Sequence, residues 1–104
     1  MSEVVVTAVF RPVEGKREEL IAALRAAIPA VHDEAGCMLY AIHDAEDGTI
    51  TMLEKWATVE DLDAHGAGAP VTRLNELIDG LISEPVLVTC MTALPAGTAE
   101  QGLL

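Results

Sequence analysis

The sequence predicts an α+β domain in which a four-stranded antiparallel sheet carries its helices on one face, and three observations lead there. Apolar runs of strand length lie near both ends and in the middle of the chain. Two amphipathic stretches of helical period separate them, and an Asp-Gly pair splits the central apolar segment as hairpin turns do. With 104 residues the chain is long enough for one domain, which buries somewhat over ~60% of the surface its unfolded form would expose. That domain is taken as residues 1–94, followed by a tail from 95 to 104.

Val4 to Phe10 is continuous, β-branched and apolar, as a strand buried on both faces should be. Arg11 to Gly15 punctuates it. From Lys16 onward Leu20, Leu24, Ile28 and Val31 recur at helical spacing, with Ile21 and Ala27 widening the stripe. Pro29 is expected to end or kink this helix near Ile28, leaving a last turn before Gly36. Cys37 to His43 and Thr49 to Trp56 read as antiparallel strands around Asp47-Gly48. Thr58 with Asp61 resembles a capping box that opens a short helix reaching about His65. After the glycines at 66 and 68, Pro70 can start a further amphipathic helix through Val71, Leu74, Leu77, Ile78, Leu81 and Ile82, stopped by Pro85. Val86 to Leu94 is the last strand. The tail from Ala96 has no periodicity and is expected to be loose or draped on a partner subunit. The order β-α-β-β-α-β is the split βαβ, or ferredoxin-like, arrangement.

Composition narrows the function. Hydrophobic residues make up 51% of the chain while Phe, Tyr and Trp occur once each, so aliphatic side chains must build the core. A formal net charge of −11 repels phosphate backbones and anionic lipid, which makes nucleic acid and membrane poor partners. No window approaches the ~18 apolar residues of a membrane span, and the N-terminus lacks the pattern of a signal peptide, so a cytoplasmic protein is expected. Cys37 and Cys90 then read as free thiols, placed at opposite sheet edges and more simply explained as buried small hydrophobes than as zinc ligands.

Both faces of the sheet look apolar. Val4, Val6, Ala8 and Phe10 point one way and Val5, Thr7 and Val9 the other, with the last strand alternating similarly. An open apolar face of that size exceeds what soluble monomers show, so a homodimer formed face to face through the open sheet is predicted.

The chemistry-bearing residues concentrate around Glu54-Lys55-Trp56 and His65, where the single tryptophan closes a strand and a titratable imidazole ends the next helix. Together these could line one pocket. Four blocks, Gly15-Lys16-Arg17-Glu18-Glu19-Leu20, Glu34-Ala35-Gly36-Cys37-Met38-Leu39-Tyr40, Glu54-Lys55-Trp56 and Leu62-Asp63-Ala64-His65, resemble the antibiotic biosynthesis monooxygenase domain family. The resemblance implies a dimeric α+β barrel and oxidation of quinols or of polycyclic phenols and anthrone-like arenes by O2, with neither metal nor flavin. Some relatives degrade haem, but with an asparagine on the first strand and a histidine on the later helix. This chain has neither, which disfavours haem. Many relatives also carry a second histidine where Pro70 stands here, so no histidine pair is expected.

An electron-rich dihydroxyaromatic can reduce O2 itself once deprotonated; the protein must supply a base, a dry pocket and orientation. His65, with an intrinsic pKa of about 6.5, suits the base. Trp56 is expected to wall in the aromatic substrate, and Tyr40 to hydrogen-bond a substrate oxygen. Glu54, His43 and Arg73 complete the candidate substrate contacts, Arg73 as a counter-charge for an oxyanion. Purely structural roles compete at each: Trp56 as a core anchor, His65 at a helix C-terminal dipole, Arg73 in a solvated ion pair. A non-catalytic dimeric module that binds a small apolar metabolite is the alternative function.

Overall fold

A computed structural model describes residues 3–104. The elements run β1 (Val4–Phe10), α1 (Arg17–His32), β2 (Cys37–Asp44), β3 (Ile50–Trp56), α2 (Val59–Gly66), α3 (Ala69–Ile78) and β4 (Leu87–Thr92). The strands form one antiparallel sheet in the order β2-β3-β1-β4. This is the predicted ferredoxin-like α+β arrangement, with β2 and β4 at opposite edges and Cys37 and Cys90 both free thiols. Among the described residues no helix is long and apolar enough to cross a membrane.

Register decides what the helices cover. Val4, Val6, Ala8 and Phe10 of β1 face the same side as their partners Trp56, Glu54, Met52 and Ile50 of β3, and all eight are buried. Against them pack Leu20, Leu24, Ala27 and Val31 of α1 and Leu74 and Ile78 of α3. The alternate residues Val5, Thr7, Val9, Thr51, Leu53 and Lys55 are only half-buried on the other face. Each fully buried leucine contributes roughly 1.5–3 kcal/mol, so the aliphatic helix stripes supply much of the stability.

Several expectations need correction. Pro29 does not end α1, which continues to His32; a proline forfeits one backbone bond, and Val31, fully buried one residue before the end, keeps the last turn on the sheet. α3 is shorter than its apolar pattern, ending at Ile78, because Gly80 takes a left-handed φ of 79° and turns the chain. Ile82 then bridges Pro12 instead of extending the helix. The two cysteines are not buried: Cys37 is partly exposed and Cys90 exposed. The cause at Cys90 is the position of β4, an edge strand that the helices leave uncovered, so all six of its residues are exposed. Nor is the tail loose, since Thr98 to Gly102 form a hydrogen-bonded turn and the Leu104 carbonyl accepts from Lys55 Nζ at 2.7 Å.

Candidate active site

Two backbone junctions set the site. Thr58 caps α2, its Oγ1 accepting from the Asp61 N–H at 3.0 Å. The Asp61 carboxylate does not return to the cap but lies against Gly36, in the loop between α1 and β2. Gly36 adopts φ 77°, and a Cβ there would stand 2.1 Å from Asp61 Oδ2, so only glycine fits. The Gly36 carbonyl also accepts from the Ala57 N–H at 2.9 Å. This pins the loop to the start of α2, and places Glu34, two residues before Gly36, opposite His65, one helical turn after Asp61. His65 Nδ1 and Glu34 Oε1 are 2.7 Å apart.

A carboxylate only accepts, so Nδ1 carries the hydrogen and Nε2 of the neutral ring is left as the acceptor. His65 is 6% exposed and Glu34 17%, so the pair is largely shielded from solvent. Trp56 lies behind the imidazole, the ring centroids 4.5 Å apart and tilted by 33°. The indole Nε1 donates to Glu54 Oε1 at 2.9 Å. Tyr40, the cross-strand partner of Glu54, meets His65 edge-on at 5.4 Å and Trp56 at 6.4 Å. Four of the predicted residues thus form one cluster.

Burial governs its electrostatics. Desolvation pushes the Tyr40 hydroxyl well above the usual phenol range, and the carboxylates of Glu54 and Glu34 push it further. Tyr40 therefore stays protonated and able to donate; among the described residues no side-chain hydrogen bond engages its hydroxyl. Desolvation also raises Glu54, partly offset by the Trp56 hydrogen bond and by His65.

In front of the cluster is a cavity of about 270 Å³, reached by Tyr40, Glu54 and His65 and otherwise mainly aliphatic, with Val6, Ala8, Leu62, Val71, Leu74 and Val88 among its walls. Trp56 is fully buried and does not line it, so the indole supports His65 and Glu54 rather than walling in a ligand. His43 and Arg73 stand apart. His43 is exposed near the hairpin, its Nδ1 donating to the Thr51 carbonyl at 3.3 Å, and Arg73 is exposed on α3. Neither lines the cavity. Among the described residues no group of three His, Cys, Asp or Glu side chains is placed to hold a metal ion.

A sequence profile described as antibiotic biosynthesis monooxygenase matches residues 3–77, most of the chain and every element from β1 to nearly the end of α3. The chain belongs to the antibiotic biosynthesis monooxygenase family. Solved structures agree on the fold. Rv0793 from Mycobacterium tuberculosis is 29% identical, with a TM-score of 0.81 over 94% of this chain and 99% of its own. SO0527 from Shewanella oneidensis is 31% identical, with a TM-score of 0.78 over 88% of this chain and 90% of its own. A Caulobacter crescentus protein, provisionally named an antibiotic biosynthesis monooxygenase, is 19% identical over 89% of this chain and 91% of its own, and its TM-score of 0.80 speaks to the fold alone. No curated protein matches the chain.

For this antibiotic biosynthesis monooxygenase family member, sequence reasoning passed over two residues that stand at the site. Glu34 lay in a recognised block without an assigned role, and Asn75, which lines the cavity from α3, was not singled out. No signal in its own segment distinguishes Glu34 from Asp33, because the contact depends on the close approach of Asp61 to Gly36.

Proposed function

We propose that this protein is a cofactor-independent monooxygenase that oxidises a quinol, or a polycyclic phenol or anthrone-like arene, with O2. The observation that carries this reading is the Glu34-His65 pair, whose Nδ1 contact leaves Nε2 as the free basic nitrogen of a residue lining an apolar cavity. A phenolic O–H placed there gives its proton to Nε2 while Glu34 stabilises the imidazolium that forms. The Tyr40 hydroxyl, kept protonated by burial, donates to the same substrate oxygen and holds the anion in place. The electron-rich anion reduces O2; one oxygen atom enters the ring and the other leaves as water, so the substrate supplies both electrons. A cavity of about 270 Å³ suits a small fused-ring arene.

The reading includes a homodimer joined through the open sheet face. Leu87 and Met91 remain 65% and 39% exposed beside the half-buried Val5, Val9 and Leu53, an apolar surface that a second copy would cover. Light scattering at micromolar concentration should give twice the 11.0 kDa of one chain, and a monomer mass would refute the dimer. Two free thiols suit a reducing cytoplasm.

The test of the activity is oxygen uptake by chelator-treated, flavin-free protein with 1,4-dihydroxynaphthalene and related hydroquinones, beside His65→Ala and an autoxidation control. Uptake above autoxidation that disappears in the mutant is expected. Saturable binding without uptake would instead favour a metabolite-binding module.

A further inference from the structure

The polar groups of the cavity are not all at one end. Tyr40, Glu54 and Val6 occupy one rung of the sheet, beside His65. From that rung β1 runs through Ala8 to Phe10, and the lining becomes aliphatic with Val86 and Val88. α3 runs alongside in the same sense. Its N-cap is Gly68, whose N–H donates to the His65 carbonyl at 3.0 Å, and the chain beyond it reaches the Phe10 end, where Ile82 bridges Pro12. Along α3 the cavity is lined by Val71, Leu74 and Asn75.

Asn75 is thus the one polar side chain that α3 presents to the cavity, and it stands toward the far end. It lies seven positions beyond Gly68, about 10 Å along the axis. Asn75 and His65 both line the same cavity, so one ligand that fills it meets both residues. Among the described residues no side-chain hydrogen bond engages the Asn75 amide. Its position at an exposed mouth explains why it can stay unpaired without cost.

We propose that Asn75 is a specificity-determining residue that hydrogen-bonds a second oxygen of the substrate, across the ring system from the oxygen that meets His65 and Tyr40. This rests on the reading that the cavity takes an aromatic substrate. An amide has both an acceptor oxygen and a donor NH2, so it can accept from the hydroxyl of a quinol and donate to the carbonyl of the quinone formed from it. The site then selects 1,4-dihydroxy arenes over their monohydroxy analogues. One neutral hydrogen bond at an exposed position corresponds to about 3- to 10-fold in affinity.

The test is calorimetric titration under argon, so that binding is separated from turnover, with 1,4-dihydroxynaphthalene and 1-naphthol against the wild type and Asn75→Ala. The wild type should bind the dihydroxy compound about 3- to 10-fold more tightly. The variant should lose that preference while holding 1-naphthol with unchanged affinity, which also shows that the fold is intact. A preference that survives in Asn75→Ala overturns the proposal, as does a wild type that binds both compounds equally, and in both cases the aromatic-substrate reading stands. A wild type that binds neither compound overturns both.

Discussion

Replacing Gly36 by alanine tests the junction on which the site depends. Its φ of 77° puts any other L-residue in the left-handed region, at a cost of about 1–2 kcal/mol. The new methyl would also meet the Asp61 carboxylate, at 2.1 Å from Oδ2, 2.4 Å from Cγ and 2.7 Å from Cβ. Contact with Cβ means that rotating the side chain cannot relieve the overlap, so α2 or the loop must shift, for a further ~1–3 kcal/mol. The sum, about 2–5 kcal/mol, is a large part of the stability of a domain this size. Urea unfolding followed by the fluorescence of Trp56 measures it, and the Gly36→Ala/Asp61→Ala double variant separates the terms. Removing the carboxylate relieves the contacts with Oδ2 and Cγ but leaves the one with Cβ, so it should restore only part of the steric cost, a coupling of about 1–2 kcal/mol, and leave the backbone part. Because Asp61 is one turn before His65 on α2, Gly36→Ala should also separate His65 from Glu34 and lower turnover in the folded fraction. An equal loss in both backgrounds would refute the argument that Gly36 is required by Asp61.

Two further perturbations address the cluster. Glu34→Gln keeps the shape but removes the anionic acceptor at His65 Nδ1, and oxygen uptake should fall by ~10-fold or more; in the His65→Ala background the same change should do little further, because the two act as a unit. Glu54 has a folded-state pKa above its unfolded value, chiefly through desolvation. Below the unfolded value both states hold the proton, whereas above it only the folded chain retains it, so the group's contribution is present at low pH and lost as pH rises through the folded pKa. Glu54→Gln removes that titration while an amide oxygen still accepts from Trp56. The stability difference should therefore move in favour of the variant as pH rises above the ordinary glutamate value of about 4.3, and a difference independent of pH in urea midpoints would contradict the desolvation argument.

The parts of the fold that were legible in the sequence rest on local patterns. The β1 run, the Leu20-Leu24-Val31 stripe, the Asp47-Gly48 turn and the Thr58 cap each encode an element within a few residues, and the structure forms each of them. The errors have one physical origin, because they depend on what neighbours do. Whether Pro29 breaks α1 depends on how firmly Val31 is held by the core. Whether Leu81 and Ile82 extend α3 depends on the left-handed turn at Gly80 and the bridge to Pro12. Whether Cys90 is covered depends on β4 being the strand that the helices do not reach.

The same division explains the site. Strand alternation and register bring Tyr40 and Glu54 onto one rung, with Trp56 on the same face of β3, so these residues were accessible to reasoning about a hairpin. Glu34 belongs to a different kind of contact. It is 31 residues from His65, and nothing in its own segment selects it over Asp33, its exposed acidic neighbour. What selects it is the distance between the Gly36 loop and α2, fixed where the Asp61 carboxylate fills the place a Cβ would occupy. The tautomer of His65 therefore depends on a close approach to a glycine two residues from Glu34. A chain that kept Trp56, Tyr40, Glu54 and His65 but carried a side chain at position 36 would retain the recognisable residues and lose the geometry that leaves Nε2 basic.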